Sequence, residues 1–198
     1  MDQESSVIAA DIRRIFADVP PPVHQLDRAG LDGYLVEYFR DRRWDGVDIT
    51  SLRASRGDSS SYLGELKHQA PDWFRYYLPG YMLMVLQDNV PEDEYQINAV
   101  IYALMPPESH ASGRKESGHE CAEAQNSFQG LFSSYTFQQK SAIASFVRHQ
   151  IAHRGHYAVT CESDMNEDAR RSYNSYWHQF NADQPKIMAP PTSSRVEP

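Results

Sequence analysis

The chain has 198 residues, 40% of them hydrophobic and 23% charged, which suits one globular domain with its own core and excludes a disordered or collagen-like polymer. Nineteen Lys and Arg stand against 27 Asp and Glu, for a net charge of -8. That field repels a phosphate backbone, so direct nucleic-acid binding is not expected, and it attracts a basic protein partner.

The apolar positions recur at helical spacing from the start. Val7, Ile8, Ile12, Ile15 and Phe16 form one stripe, with Ser5 or Ser6 as N-cap and Pro20 to Pro22 as terminator. The first residues are acidic where a signal peptide needs basic and then apolar ones, and no apolar run has the length of a membrane span. A soluble cytoplasmic protein is therefore expected. A second stripe comprises Leu31, Tyr34, Leu35, Tyr38 and Phe39, with Asp27 as its cap and a turn at Asp45-Gly46. The polar segment SLRASRGDSSSYLGEL, Ser51 to Leu66, reads as a loop.

PDWFRYYLPGYMLMVLQ, Pro71 to Gln87, combines five aromatic residues, Arg75 and a Pro-Gly pair. Pro71 and Asp72 suit a helix start, and Trp73, Phe74, Tyr77, Tyr81, Met84 and Val85 fall on one face. Pro79 cannot donate to the carbonyl four residues back, so the helix is expected to kink there or to end near Tyr77 and restart. The stretch reads as a broken core helix. A ligand box would need polar groups converging on a cavity, and Arg75 with the tyrosine hydroxyls is too few.

The next helix has Asn89 as cap, Pro91 near its start and Glu92, Asp93 and Glu94 in its first turn; Ile97, Val100, Ile101, Leu104 and Met105 face the core before Pro106-Pro107. Residues 106–123 are polar and aperiodic, as expected of a mobile loop. Thr136 and Gln139 then have capping-box spacing ahead of a helix whose core face is Ala142, Ile143, Phe146, Val147 and Ile151, with Gly155 as C-cap. HYAVTC, His156 to Cys161, could form a short extended piece, and a last helix carries Ala169, Tyr173, Tyr176, Trp177 and Phe180. The expected fold is all-α: a single compact domain over 1–182 with about six or seven helices and a flexible Pro- and Ser-rich tail over 183–198.

YLVEYFRDRRW, the FRYYLPGYM core from Phe74 to Met82, and SYTFQQKSAIASFVRH together resemble a bacterial family known only as a domain of unknown function. That family carries a Phe-Arg-Tyr-Tyr-Leu-Pro motif and opens a later helix with a Phe-Thr-Pro-Glu-Gln type cap. Here Tyr135-Thr136-Phe137-Gln138-Gln139 lacks the Pro-Glu pair. The resemblance spans Leu31 to Arg154, implies the fold, and brings no catalytic residue with it.

Chemistry-bearing residues must be weighed individually. His149, His153 and His156 follow i, i+4, i+7 spacing, and the first two share a helix face where a metal could bridge them; Gly155 should break the helix before the third. The plainer reading is that Arg148, His149, His153 and Arg154 complement the negative end of the helix dipole. The HECAE run, with His119, Cys121 and Glu123, departs from HExxH in its last position. Cys121 and Cys161 have neither disulfide-framework nor zinc-finger spacing, so both are expected as free thiols. There is no GxSxG elbow and no glycine-rich phosphate loop.

Two acidic groups stand out as partner-binding candidates: Asp88, Glu92, Asp93 and Glu94, and Glu162, Asp164, Glu167 and Asp168. Each precedes or opens a helix, so capping is the competing reading. The expectation is a non-enzymatic immunity protein, without cofactor, that neutralises a basic toxin or effector encoded nearby through an acidic and aromatic surface. The alternative is a metal-dependent hydrolase using the histidine cluster.

Overall fold

The computed structural model describes residues 2–23, 33–48, 62–87, 94–107, 118–154 and 163–181. Among these residues the architecture is all-α, with no strand. The helices are α1 (Gln3–Phe16), α2 (Gly33–Phe39), α3 (Tyr62–Gln69), α4 (Pro71–Gln87), α5 (Glu94–Ala103), α6 (Gly118–Ser133), α7 (Phe137–Arg154) and α8 (Ser163–Ser175). Two 3-10 turns, Trp44–Gly46 and Trp177–Phe180, complete the set.

This is the expected all-α fold of several helices, although α3 and the first turns of α6 overlap stretches that read as loop. In α3 the polar residues conceal two core contributors, Leu63 and Leu66. The expected loop near 106–123 gives way to helix from Gly118 onward, and the packing that anchors α6 comes later, from Phe128 and Phe132 one turn apart. Asp27, Asn89, Pro91, Gly155, the segment 156–161 and the tail 183–198 lie outside the described residues.

The aromatic stretch is the centre of the fold. In α4, Phe74 and every residue from Tyr76 to Leu86 are buried, and the helix packs against α1, α3, α5 and the Trp44 turn. A helix apolar on nearly all sides must be surrounded by other elements. The expected core residues Phe74, Tyr77, Tyr81, Val100, Ile101, Phe146 and Val147 are all buried; Trp73 is only partly so and stacks on Tyr77 at 5.8 Å.

α4 does not end near Tyr77: it continues through Pro79 to Gln87. The neighbouring Gly80 explains what this segment accommodates. A Cβ on Gly80 would stand 1.9 Å from the Trp44 carbonyl oxygen, so only glycine lets the Trp44 backbone lie against α4. One turn earlier, Tyr77 Oη lies 2.7 Å from the Phe39 carbonyl and 2.6 Å from the Arg42 carbonyl, sharing its one hydrogen between acceptors at the end of α2. Burial raises the Tyr77 pKa well above its ordinary 10, so the hydroxyl remains a donor.

The other half forms around α7, which packs against α1, α8 and the Trp177 turn. Its start is a capping box: the Gln139 N–H donates to Thr136 Oγ1 at 3.2 Å and the Thr136 N–H to Gln139 Oε1 at 3.0 Å. Beyond the end of α5, the buried Leu104 carbonyl accepts from Trp177 Nε1–H (2.8 Å) and from the Ser172 hydroxyl (3.1 Å). Among the described residues no helix is long and apolar enough to cross a membrane.

Candidate functional site

At the first turn of α1 the N-cap is Asp2, rather than Ser5 or Ser6: its Oδ1 accepts from the Ser5 N–H at 2.7 Å. A carboxylate there satisfies an orphan donor and the positive end of the helix dipole. The same backbone N–H is the largest influence holding the Asp2 carboxyl below its usual pKa of 3.8. Ser5, free of the capping role, turns inward. Its Oγ is hydrogen-bonded to His149 Nε2 at 2.8 Å, joining α1 to a residue 144 positions away.

His149 and His153 stand one turn apart near the end of α7, as their spacing predicts. His149 is 4% exposed, and His153 Nδ1–H donates to the His149 carbonyl at 3.1 Å. Their rings are 3.8 Å apart. Against them α1 sets two carboxylates: Asp2 Oδ2 is 3.3 Å from His153 Nε2, while Glu4 Oε2 is 3.6 Å from His149 Nδ1 and 4.0 Å from His153 Nε2. Burial first, and the neighbouring His153 second, push the His149 pKa below 6.5, partly opposed by Glu4 and Asp2. These histidines thus serve the helix–helix junction as well as the end of α7. One donor atom from each of Asp2, His149 and His153 falls within a mutual separation of 4.8 Å. The third member is Asp2, which sequence spacing could not reveal; His156 lies outside the described residues.

Beside this cluster a groove of about 470 Å3 runs between α1 and α7, lined by Glu4, Val7, Asp11, Phe137, Arg148 and His149 among others. Val7 is 58% and Phe137 62% exposed, large apolar groups left open to water. An edge-on contact with Phe180 at 6.1 Å supports the Phe137 ring.

A wider groove of about 1160 Å3 lies between α3, α4, α5 and α6. The outer face of α4 contributes Pro71, Asp72 and Arg75, and α3 contributes Lys67 and His68. Arg75, which with the tyrosine hydroxyls is too little for a ligand site, therefore has polar company; Lys67 and His68 carry no sequence motif that would single them out. The Lys67 ammonium sits 5.6 Å over the Phe128 ring, and burial lowers its pKa to about 8. Arg75 stacks toward buried Tyr135 at 5.4 Å.

The acidic candidates are not brought to a described surface. Asp88, Glu92, Asp93 and Glu162 lie outside the described residues; Glu94 opens α5, and Asp164, Glu167 and Asp168 fall in the first two turns of α8, with their side chains outside the described part. His119 and Cys121 open α6 in the same way, whereas Glu123 is exposed on that helix.

No curated protein and no solved structure matches the chain. A family profile covers residues 4–181, wider than the 31–154 span of the resemblance; it takes in Glu4, Ser5, His149 and His153 of the junction but not Asp2. The chain belongs to the family described as Family of unknown function (DUF6714).

Proposed function

We propose that the protein is a non-enzymatic binding domain of the immunity type, which neutralises a basic toxin or effector encoded nearby. The observation that carries this reading is the α1–α7 groove, with Val7 and Phe137 exposed on its lining. Exposed apolar groups beside a concave surface are typical anchors of protein recognition, and an aromatic ring already held by a neighbour loses little entropy on binding. The net charge of -8 supports a basic partner, because it speeds encounter over long range. The acids at 88–94 and 162–168 remain candidates for steering, while Phe137 supplies the contact.

The test is binding kinetics against the product of the adjacent gene. Phe137→Ala and Val7→Asp should raise the dissociation rate, and neutralising either acidic group should lower the association rate and its salt dependence. Failure of the adjacent gene product to bind, or binding unchanged in the Phe137 and Val7 variants, would overturn the proposal. The Asp2–His149–His153 cluster favours a second reading, a metal-dependent hydrolase, since three protein ligands with one open position is the catalytic pattern for zinc. Hydrolysis of ester or phosphoester substrates that requires added Zn2+ and is lost in His153→Gln would support it over the first.

A further inference from the structure

We infer that Asp2, His149 and His153, with Glu4 beside them, form a binding site for a divalent transition-metal ion of the zinc class that fastens the start of α1 to the end of α7. The inference stands apart from the partner-binding reading, because it concerns how this junction is held and requires neither catalysis nor a partner.

Three observations converge. The first is donor chemistry: two imidazoles and carboxylate oxygens are the mixed nitrogen and oxygen set that zinc-class ions prefer.

The second is spacing. Ligand atoms held about 2.0–2.1 Å from a tetrahedral ion stand about 3.3–3.4 Å from one another. The facing atoms here are separated by 3.3 Å (His153 Nε2 to Asp2 Oδ2), 3.6 Å (His149 Nδ1 to Glu4 Oε2) and 4.0 Å (His153 Nε2 to Glu4 Oε2). Small side-chain movements would close these gaps around an ion.

The third is the supporting shell, for each ring has its other nitrogen engaged. His153 Nδ1–H donates to the His149 carbonyl, which in the neutral ring leaves the Nε2 lone pair for a ligand bond. If His149 Nε2–H donates to Ser5 Oγ, its Nδ1 likewise offers a lone pair toward Glu4. That Nδ1 has no hydrogen-bond partner although the His149 side chain is only 3% exposed. A buried polar atom so placed is costly unless something binds it.

Without an ion the same residues form an imidazole–carboxylate lock, and the experiment separates the two states. Untagged protein is dialysed against a chelator, then equilibrated with Zn2+ and analysed for bound metal, with Co2+ as a spectroscopic probe of nitrogen and oxygen ligation. One zinc per chain is expected, together with a raised thermal midpoint. Asp2→Asn, which retains a capping side chain, and His153→Gln should each abolish stoichiometric binding while the circular dichroism remains helical. Ser5→Ala should weaken binding about 10- to 100-fold by releasing the His149 ring. His178→Gln is the control and should bind as the parent does. Absence of stoichiometric zinc in excess Zn2+, or binding equal to the parent in both Asp2→Asn and His153→Gln, would overturn the site and leave the lock alone.

Discussion

Two segments of this molecule are fastened to long helices by opposite means. The end of α2 and the Trp44 turn are seated on α4 by a backbone approach at Gly80 and by the Tyr77 hydroxyl, inside a closely packed aromatic layer where Phe39 and Tyr77 rings are 4.3 Å apart. The first turn of α1 is held to α7 by imidazoles and carboxylates, with Asp2 48% and His153 42% exposed at the side chain. The first junction depends on volume and tolerates changes in acidity. The second sets the buried His149 ring against the carboxylates of Asp2 and Glu4, so it responds to protons. Of the two junctions, the one with half-exposed side chains is thus the one that brings imidazoles and carboxylates together.

Substitutions in the aromatic layer should have the largest effects. Phe74→Ala is expected to lower stability by about 3–5 kcal/mol in urea unfolding, through the cavity left under Phe132. Trp73→Ala should cost clearly less, because Trp73 is only partly buried. Equal losses would mean that Trp73 supports the core more than its burial suggests. Gly80→Ala should cost about 3 kcal/mol, since its Cβ meets the Trp44 backbone and a backbone cannot rotate away as a side chain can. An unchanged unfolding midpoint would show that the Trp44 turn moves freely.

Tyr77→Phe should cost about 1–3 kcal/mol, because two carbonyls lose a shared donor without any loss of volume. Thr136→Ala, which removes half of the capping box of α7, should cost about 1 kcal/mol in the same assay. It should leave the α2 junction intact, as seen by fluorescence of a variant in which Trp44 is the only tryptophan.

The smallest effect is the one that most directly distinguishes the two junctions. The folded state holds the His149 pKa below 6.5, so the unfolded chain binds a proton there more readily. The stabilisation from neutral His149 is therefore fully present above pH 6.5 and is lost as pH falls through the depressed folded value. Asp2, held below 3.8, contributes in a lower window. Urea midpoints of chelator-treated protein should decline from about pH 7.5 to about pH 5, and His149→Gln should flatten that decline. Tyr77→Phe should leave the slope unchanged. A flat profile in the parent would show that Glu4 and Asp2 together compensate the burial of the ring and its neighbour His153.

Some elements were legible because their signals are local. Thr136 and Gln139 announce the start of α7 three residues apart, and Val100, Ile101, Phe146 and Val147 recur at a period that only a helix can bury on one side. The α3 and α6 helices were not legible, since their polar residues hide short apolar contributions that matter only once α4 and the Trp177 turn lie against them. Of the candidate site, the His149 and His153 pair was visible in its i, i+4 spacing, whereas Asp2 and Ser5 looked like ordinary cap residues.

By itself, then, the sequence determined the helical class, the aromatic centre from Phe74 to Leu86 and several helix limits, because periodicity, prolines and caps act over a few residues. Only the tertiary structure decided that α4 runs through Pro79, that Gly80 faces the Trp44 carbonyl, and that His149 meets Ser5 across 144 positions. Those outcomes depend on which helix faces pack together, and a local pattern says that a face is buried without saying against what.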